Sequence, residues 1–394
     1  MNTTGTKVST VDLIHSWLFN DTNADATGPF LLRDWISDFG QKDGAIGWST
    51  KDDRPELITQ IVTACHVSLV DKPAPRPTGG GRAEPITSVK SGDQLATPAE
   101  HWRSIKENQG ELALSLGNAQ KAVAGGYFPW WLSPYPVSIG IYVALRWHKV
   151  FDSPVLHPWD ESELDALFRA FFWRNALTRR YDQGFLSQVG TDISTLKAIL
   201  ANRPTFTSSS AWAENAEKQL APIFEYAVPD KNELVDMLTN GTQSGAMSKA
   251  LALLMFARAR KDPVQASIDL AYPSASPVEL HHIYPKEWCR NNKTGELAAI
   301  LDPAIARRDF VGSVANQMPL SRESNNAWRQ KSPAQFIAES QITFSPNREN
   351  LKAVFIDERG FEYLSGGPQN VEKFWQHRAE LIADALLQNT RVVL

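Results

Sequence analysis

The sequence predicts a mainly α-helical fold: a helical domain, then a small strand–strand–helix (ββα) unit embedded in further helices. Three observations predict it. Apolar residues recur at i, i+3 and i+4 along most of the 394 residues. Strand-like runs are scarce outside 281–320, the one other candidate being Ala353–Ile356. Between 281 and 333 the helical pattern gives way to a short string of closely spaced His, Asn and Pro. A hydrophobic content of 42% with 21% charge is that of a packed globular chain. At this length a large core is available and more than one domain is expected. The expected division is a helical domain over 1–262 and the ββα unit with a closing helix over 263–394.

The elements follow in order. Val8–Ile14 leads into an amphipathic run through Trp17, Leu18 and Phe19, and Leu31–Ile36 and Leu57–Val62 repeat the one-faced helical spacing. From about 71 to 96 the composition shifts to Lys72-Pro73-Ala74-Pro75-Arg76-Pro77 and Gly79-Gly80-Gly81, which predicts a flexible loop. Thr97 then reads as an N-cap, with Pro98 at the first helical position and Glu100 completing a capping box. Helices are expected over Ile139–Trp147 and Glu161–Arg180, the second capped by Asp160 with acids in its first turn. Thr191–Leu200, Lys231–Asn240, an apolar Ser248–Arg260 and an amphipathic Val371–Leu387 complete the set. The 13 tryptophans fit packing between helices.

Charge and cysteine content narrow the function classes. A net charge of −4 excludes a generally basic nucleic-acid-coating protein. Positions 281–331 are the exception, with eight Lys/Arg against five acids, a local balance that suits a phosphate backbone. Only Cys65 and Cys289 are present, so no disulfide framework is available and a reducing compartment is the expectation. No signal peptide is apparent, and the longest apolar run, Val137–Val143, is far too short to span a membrane. A bacterial cytoplasmic location is therefore expected.

The chemistry is concentrated in Glu279-Leu280-His281-His282-Ile283-Tyr284-Pro285-Lys286, answered by Asn316-Gln317-Met318-Pro319-Leu320 and then Asn325. This is the layout of an HNH nuclease motif. Phosphodiester cleavage needs a base to deprotonate water and a cation to offset charge on the phosphate and leaving oxygen. A neutral histidine serves as base near pH 7. A hard cation keeps several waters, so one imidazole and one amide oxygen suffice to hold it. Neighbouring strand residues point to opposite faces, so His281 and His282 take different tasks. In the motif class that the string resembles, the second His is usually the base and the residue before it a metal ligand, so His282 is read as general base and His281 as metal ligand. Asn316 is read as the partner that fixes the His282 tautomer, and Asn325 as a second metal ligand at the start of the helix. The cofactor expected is one divalent metal, Mg²⁺ or Mn²⁺. Lys286, Arg322, Arg329 and Lys331 are candidates for holding phosphates of double-stranded DNA. Ile283, Val314 and Leu320 supply apolar packing for the hairpin. The long stretch 283–315 reads as an insertion able to host a shield or a DNA-contacting arm.

The string His281-His282-Ile283-Tyr284-Pro285, Asn316, Asn325 and Lys331-Ser332-Pro333 resembles the nuclease domain of GmrSD-like, modification-dependent (Type IV) restriction enzymes. The aromatic helix Phe172–Tyr181 and Phe374-Trp375-Gln376-His377-Arg378 are similar to helices that flank that domain in such proteins. Asn2–Ser9 resembles a motif at the end of their N-terminal nucleotide-hydrolysing domain, whose own signature is absent here. The resemblance implies a metal-dependent DNA endonuclease or nickase, the effector half of an anti-phage system whose sensor domain is a separate partner. SspE-type phosphorothioation-sensing proteins share the order of sensor and nuclease. One departure is that His281 stands where many such enzymes carry Asp or Glu. Two alternatives remain open: an inactive HNH-fold DNA-binding or regulatory module, and an RNA-cleaving nuclease. Arg174, Arg179 and Arg180 are expected to pair with acids such as Asp182 or Asp192.

Overall fold

A computed structural model describes residues 8–21, 28–50, 52–67, 85–274, 277–302, 304–306 and 308–394. It is 65% helix and 3% strand, so the chain is mainly α. The Asn2–Ser9 motif lies largely outside the described residues, as do Gly79–Gly81 and most of the expected 71–96 loop. The last part of that stretch, Ser91–Ala96, is helical. Among the described residues no helix is long and apolar enough to cross a membrane.

Local signals placed several helices well. The Glu161–Thr178 helix begins at Asp160, whose carboxylate accepts from the Glu163 N–H while the Glu163 side chain accepts from the Asp160 N–H. Most of this helix is buried; its Phe168 packs against Tyr142, and Phe171 against Tyr181 and Phe224. Ile139–Phe151 and Pro55–Val67 lie against each other beside it. Arg180 pairs with the buried Asp192 at 2.7 Å, whereas Arg174 reaches Glu217 and the carbonyl of Thr390. Two readings are corrected. Thr97 caps nothing at its C-terminal side: the next helix, Ala99–Glu107, starts from Pro98, and the Thr97 hydroxyl donates backwards to the Asp93 carbonyl. Ala353–Ile356 is a turn, in which Phe355 adopts φ +61 although Val354, Phe355 and Ile356 are all buried.

One two-stranded antiparallel sheet is present among the described residues, β1 (Val278–His282) with β2 (Gln317–Ser321). The Arg322–Trp328 helix follows β2 directly, so the strand–strand–helix order expected from the sequence is present. Ile283 and Leu320 are fully buried and Val314 nearly so. The hairpin continues the helical core. The Ser321 N–H donates to the buried carboxylate of Asp262, which also accepts from the N–H groups of Val264 and Gln265. The closing helix, Val371–Asn389, packs on Lys231–Thr239 on one side and on residues 314–316 on the other.

That helix carries Arg378, whose side chain has no solvent exposure. Its guanidinium donates to the carbonyls of Val314 (3.1 Å), Ala315 (2.8 Å) and Val354 (2.9 and 3.1 Å). Burial pulls its pKa down to about 9, because no carboxylate offsets the desolvation. The carbonyls take the place of water around the charge. Arg378→Met removes the donors from three carbonyls, of which that of Val314 keeps the Gln317 N–H, so it should destabilise the protein by about 3 kcal/mol. Urea unfolding followed by tryptophan fluorescence measures this, and an unchanged midpoint would contradict it.

Candidate active site

Strand alternation sorts the motif residues. In the register, His281 lies opposite Met318 and His282 opposite Gln317. Glu279 and His281 therefore share one face of β1, and Leu280 and His282 the other. The Glu279/His281 face meets the Arg322–Trp328 helix. His281 is 5% exposed and packs on the Trp328 ring at a centroid distance of 4.8 Å.

On that face Asn325 links the two strand residues. His281 Nδ1 lies 2.7 Å from Asn325 Oδ1, and the Asn325 Nδ2 donates to a Glu279 carboxylate oxygen at 2.5 Å. A carboxylate only accepts, so Glu279 fixes which end of the amide faces His281: it is the oxygen. Glu279 also accepts from Arg322 Nε at 3.0 Å. These two hydrogen bonds, Arg322 first, hold its carboxyl below the usual range. Asn325 sits within the helix rather than at its start. Ser321 is the N-cap, its hydroxyl accepting from the Ser324 N–H, and this leaves the fourth helical residue to turn back toward the sheet.

The pair suits a small divalent cation. Two oxygen or nitrogen ligands at about 2.1 Å in adjacent octahedral positions stand about 3.0 Å apart. His281 Nδ1 and Asn325 Oδ1 need shift only a few tenths of an ångström from their 2.7 Å separation to share one ion. Burial pushes the His281 imidazole down to about 4, so it is neutral at pH 7. Facing the Asn325 oxygen, Nδ1 carries the proton; a cation bound there would replace it as the proton moves to Nε2, which is buried with no described partner.

His282 is half-buried on the opposite face, with Gln317 Nε2 3.5 Å from its Nε2. Burial, then the nearby charge of Lys286, pushes its pKa down to about 4, so at neutral pH it is a free base. Lys286 is exposed at the start of the Lys286–Asn291 helix.

Asn316 sits elsewhere than expected. Its side chain makes no described hydrogen bond to His282. Its Oδ1 accepts from the Tyr284 N–H (2.8 Å) and the Trp375 indole N–H (3.1 Å), and its Nδ2 donates to the carbonyls of Tyr284 (3.0 Å) and Val311 (2.9 Å). This amide clasps the two ends of the 283–315 insertion, immediately after His282. Both ends of the insertion pack on the closing helix. Tyr284 packs on Trp375 and Phe374, and Phe310 stacks on Trp375 at 5.1 Å.

The other proposed phosphate ligands have local partners. Arg322 pairs with Glu279, Lys331 pairs with Glu339 at 2.8 Å, and Arg329 donates to the Asn326 carbonyl. Such exposed pairs cost little to exchange for a phosphate. Sequence reasoning gave Glu279 and Trp375 no role at the site. Glu279 was legible as the acid two residues before His281 on the same strand. Trp375 entered only within the Phe374–Arg378 run, with nothing local to tie it to the hairpin.

No known family profile matches the chain. An uncharacterized protein of Methanocaldococcus jannaschii is similar to it, 22% identical over 239 residues. The match takes in 55% of this chain and 36% of that protein, so the chain spans about a third of the relative's length.

The geometry separates the two asparagines. Asn316→Ala strips partners from four buried groups and should cost at least about 2 kcal/mol of stability. Asn325→Ala, in a more open setting, should cost under about 1 kcal/mol. Paired urea titrations test this, and equal losses would contradict the clasp role of Asn316.

Proposed function

We propose that this chain is a metal-dependent HNH endonuclease or nickase acting on double-stranded DNA. The observation that carries the reading is the convergence of His281 Nδ1 and Asn325 Oδ1 at 2.7 Å on a strand–strand–helix unit, with neutral His282 as the next residue. Mg²⁺ or Mn²⁺ held by His281 and Asn325 would supply positive charge against the charge building on the cleaved phosphate. His282 takes the proton of the attacking water. The new P–O bond forms as the bond to the leaving sugar oxygen breaks, and that oxygen is protonated from solvent. Glu279 keeps the Asn325 oxygen aimed at His281. Lys286 stands closest in charge to His282 and suits the scissile phosphate, while Arg322, Arg329 and Lys331 suit flanking phosphates. The resemblance to modification-dependent restriction enzymes supports phage DNA as the substrate and a nucleotide-hydrolysing sensor as the partner.

Supercoiled plasmid incubated with Mg²⁺, Mn²⁺ or EDTA, beside the His282→Ala protein and a structured RNA, tests the reading. Expected is metal-dependent conversion to open circle or linear DNA, reduced about 10²–10⁴-fold in His282→Ala. Equal cleavage by the variant would sink the assignment of His282, and cleavage confined to RNA would favour the RNA-cleaving alternative.

The pH profile is a second test. A base must be unprotonated, and burial holds both His282 and His281 at about 4. Activity should stay level from pH 8 to about pH 5 and fall only below that. An acid limb centred near 6.5, the ordinary histidine value, would mean that the imidazole that matters is solvated.

A further inference from the structure

A second cluster of imidazoles lies on the helical side, remote in sequence from the hairpin. His148 is in the last turn of Ile139–Phe151, Asp152 is that helix's C-cap, and His157 lies five residues on. His148 Nδ1 is 2.5 Å and His157 Nε2 is 3.1 Å from the same Asp152 oxygen, Oδ2. The donor atoms of all three fall within 4.8 Å of one another. Both imidazoles are 1% exposed and Asp152 is 22% exposed, so the cluster is enclosed on the imidazole side and opens to water at the carboxylate.

We propose that His148, Asp152 and His157 form a divalent transition-metal site, with Zn²⁺ the ion of choice, that staples the connection between the Ile139–Phe151 and Glu161–Thr178 helices. The site is independent of the nuclease reading. Ligands about 2.1 Å from a tetrahedral zinc stand about 3.4 Å apart; here the two nitrogens lie 2.5 and 3.1 Å from the carboxylate oxygen, so the donors would open by up to about 1 Å to share one ion. Two imidazoles and one carboxylate favour Zn²⁺ over Mg²⁺, which prefers oxygen donors. Burial, the largest influence, lowers both imidazoles, His148 to about 4, and Asp152 is also lowered. At pH 7 the set is thus already in the state a metal requires, neutral nitrogens with an ionised carboxylate.

The connection has something to gain from a staple. The Pro154–Leu156 turn buries none of its side chains, and Val155 is 85% exposed. Apart from the Asp152–histidine contacts, little anchors it until Trp159 enters the core. Lys197 and Lys149 bear on the cluster with like charge and would weaken a cation's hold. Lys149 is turned over the Trp159 ring at 4.2 Å. The expected affinity is therefore moderate rather than that of a closed four-ligand zinc site.

The test is a titration of chelator-treated full-length protein with Zn²⁺, and with Co²⁺ followed by visible absorption. It is run on the wild type, on His281→Ala/Asn325→Ala, on His157→Ala and on the near-isosteric Asp152→Asn. Expected is one equivalent that survives in the hairpin double variant and binds at least about tenfold more weakly in His157→Ala and Asp152→Asn. Hydrogen exchange on the wild type needs no variant to fold: Zn²⁺ should slow exchange over 149–160. Binding that vanishes with the hairpin variant, or is unchanged in Asp152→Asn, overturns the proposal. So does wild-type exchange over 149–160 that does not respond to Zn²⁺.

Discussion

The buried charge of Arg378 is the constraint on which the hairpin depends. A guanidinium with no exposure and no carboxylate is tolerable only if oxygens replace its lost water, and here backbone carbonyls do so. Two of those carbonyls belong to Val314 and Ala315, the residues immediately before Asn316. Trp375, one turn earlier on the same helix face, donates to Asn316 itself. The closing helix therefore grips the start of β2 at two points. Asn316 passes the constraint on to Tyr284, two residues past His282. The position of the proposed base is thus set by a helix that begins ninety residues later in the chain.

This chain of contacts explains why a long insertion does no harm between the strands. A hairpin with a connection of 34 residues (283–316) would ordinarily leave its register weakly specified. Here the two ends of the insertion are tied by one amide, and its aromatic residues, Tyr284 and Phe310, are packed on Trp375. Leu280 on one face is 44% exposed whereas Met318 and Leu320 are fully buried, so the hairpin has one core side and one open side. A one-residue slip would expose Met318 and Leu320 to water, which burial of their apolar area opposes.

What was legible in the sequence was what local chemistry decides. The Asp160–Glu163 capping box marks a helix start because the hydrogen bonds close within four residues. The His-His string with its two asparagines located the hairpin and the helix that follows it, since strand alternation is a short-range fact, although the His281–Asn325 contact spans 44 residues. The illegible parts are those decided by distant partners. Thr97 carries an N-cap side chain, yet its hydroxyl is drawn back to Asp93 and toward Thr63 in a neighbouring helix. Val354-Phe355-Ile356 reads as a strand by composition, but the Val354 carbonyl is held by Arg378 and the chain turns there. Asn316 follows the same logic. Its partners come from 284, 311 and 375 rather than from the imidazole beside it.

The histidine at 281, in a position where related motifs commonly carry an acid, poses an electrostatic question that the strand period answers. A neutral imidazole leaves a bound cation without a negative charge from that residue. Residue 279 lies on the same face because strand side chains repeat every two residues, and it is glutamate. Its carboxylate is ionised, is oriented by Arg322, and reaches the amide of Asn325. The negative charge thus stands one amide away from the proposed ligand pair, where it polarises the Asn325 oxygen toward His281. Outer partners of this kind orient metal ligands and tune their basicity. The arrangement trades a direct carboxylate contact, strong but costly to dehydrate, for a neutral pair backed by a charge that remains partly in water. A cation held this way keeps more of its own hydration, as magnesium and manganese favour.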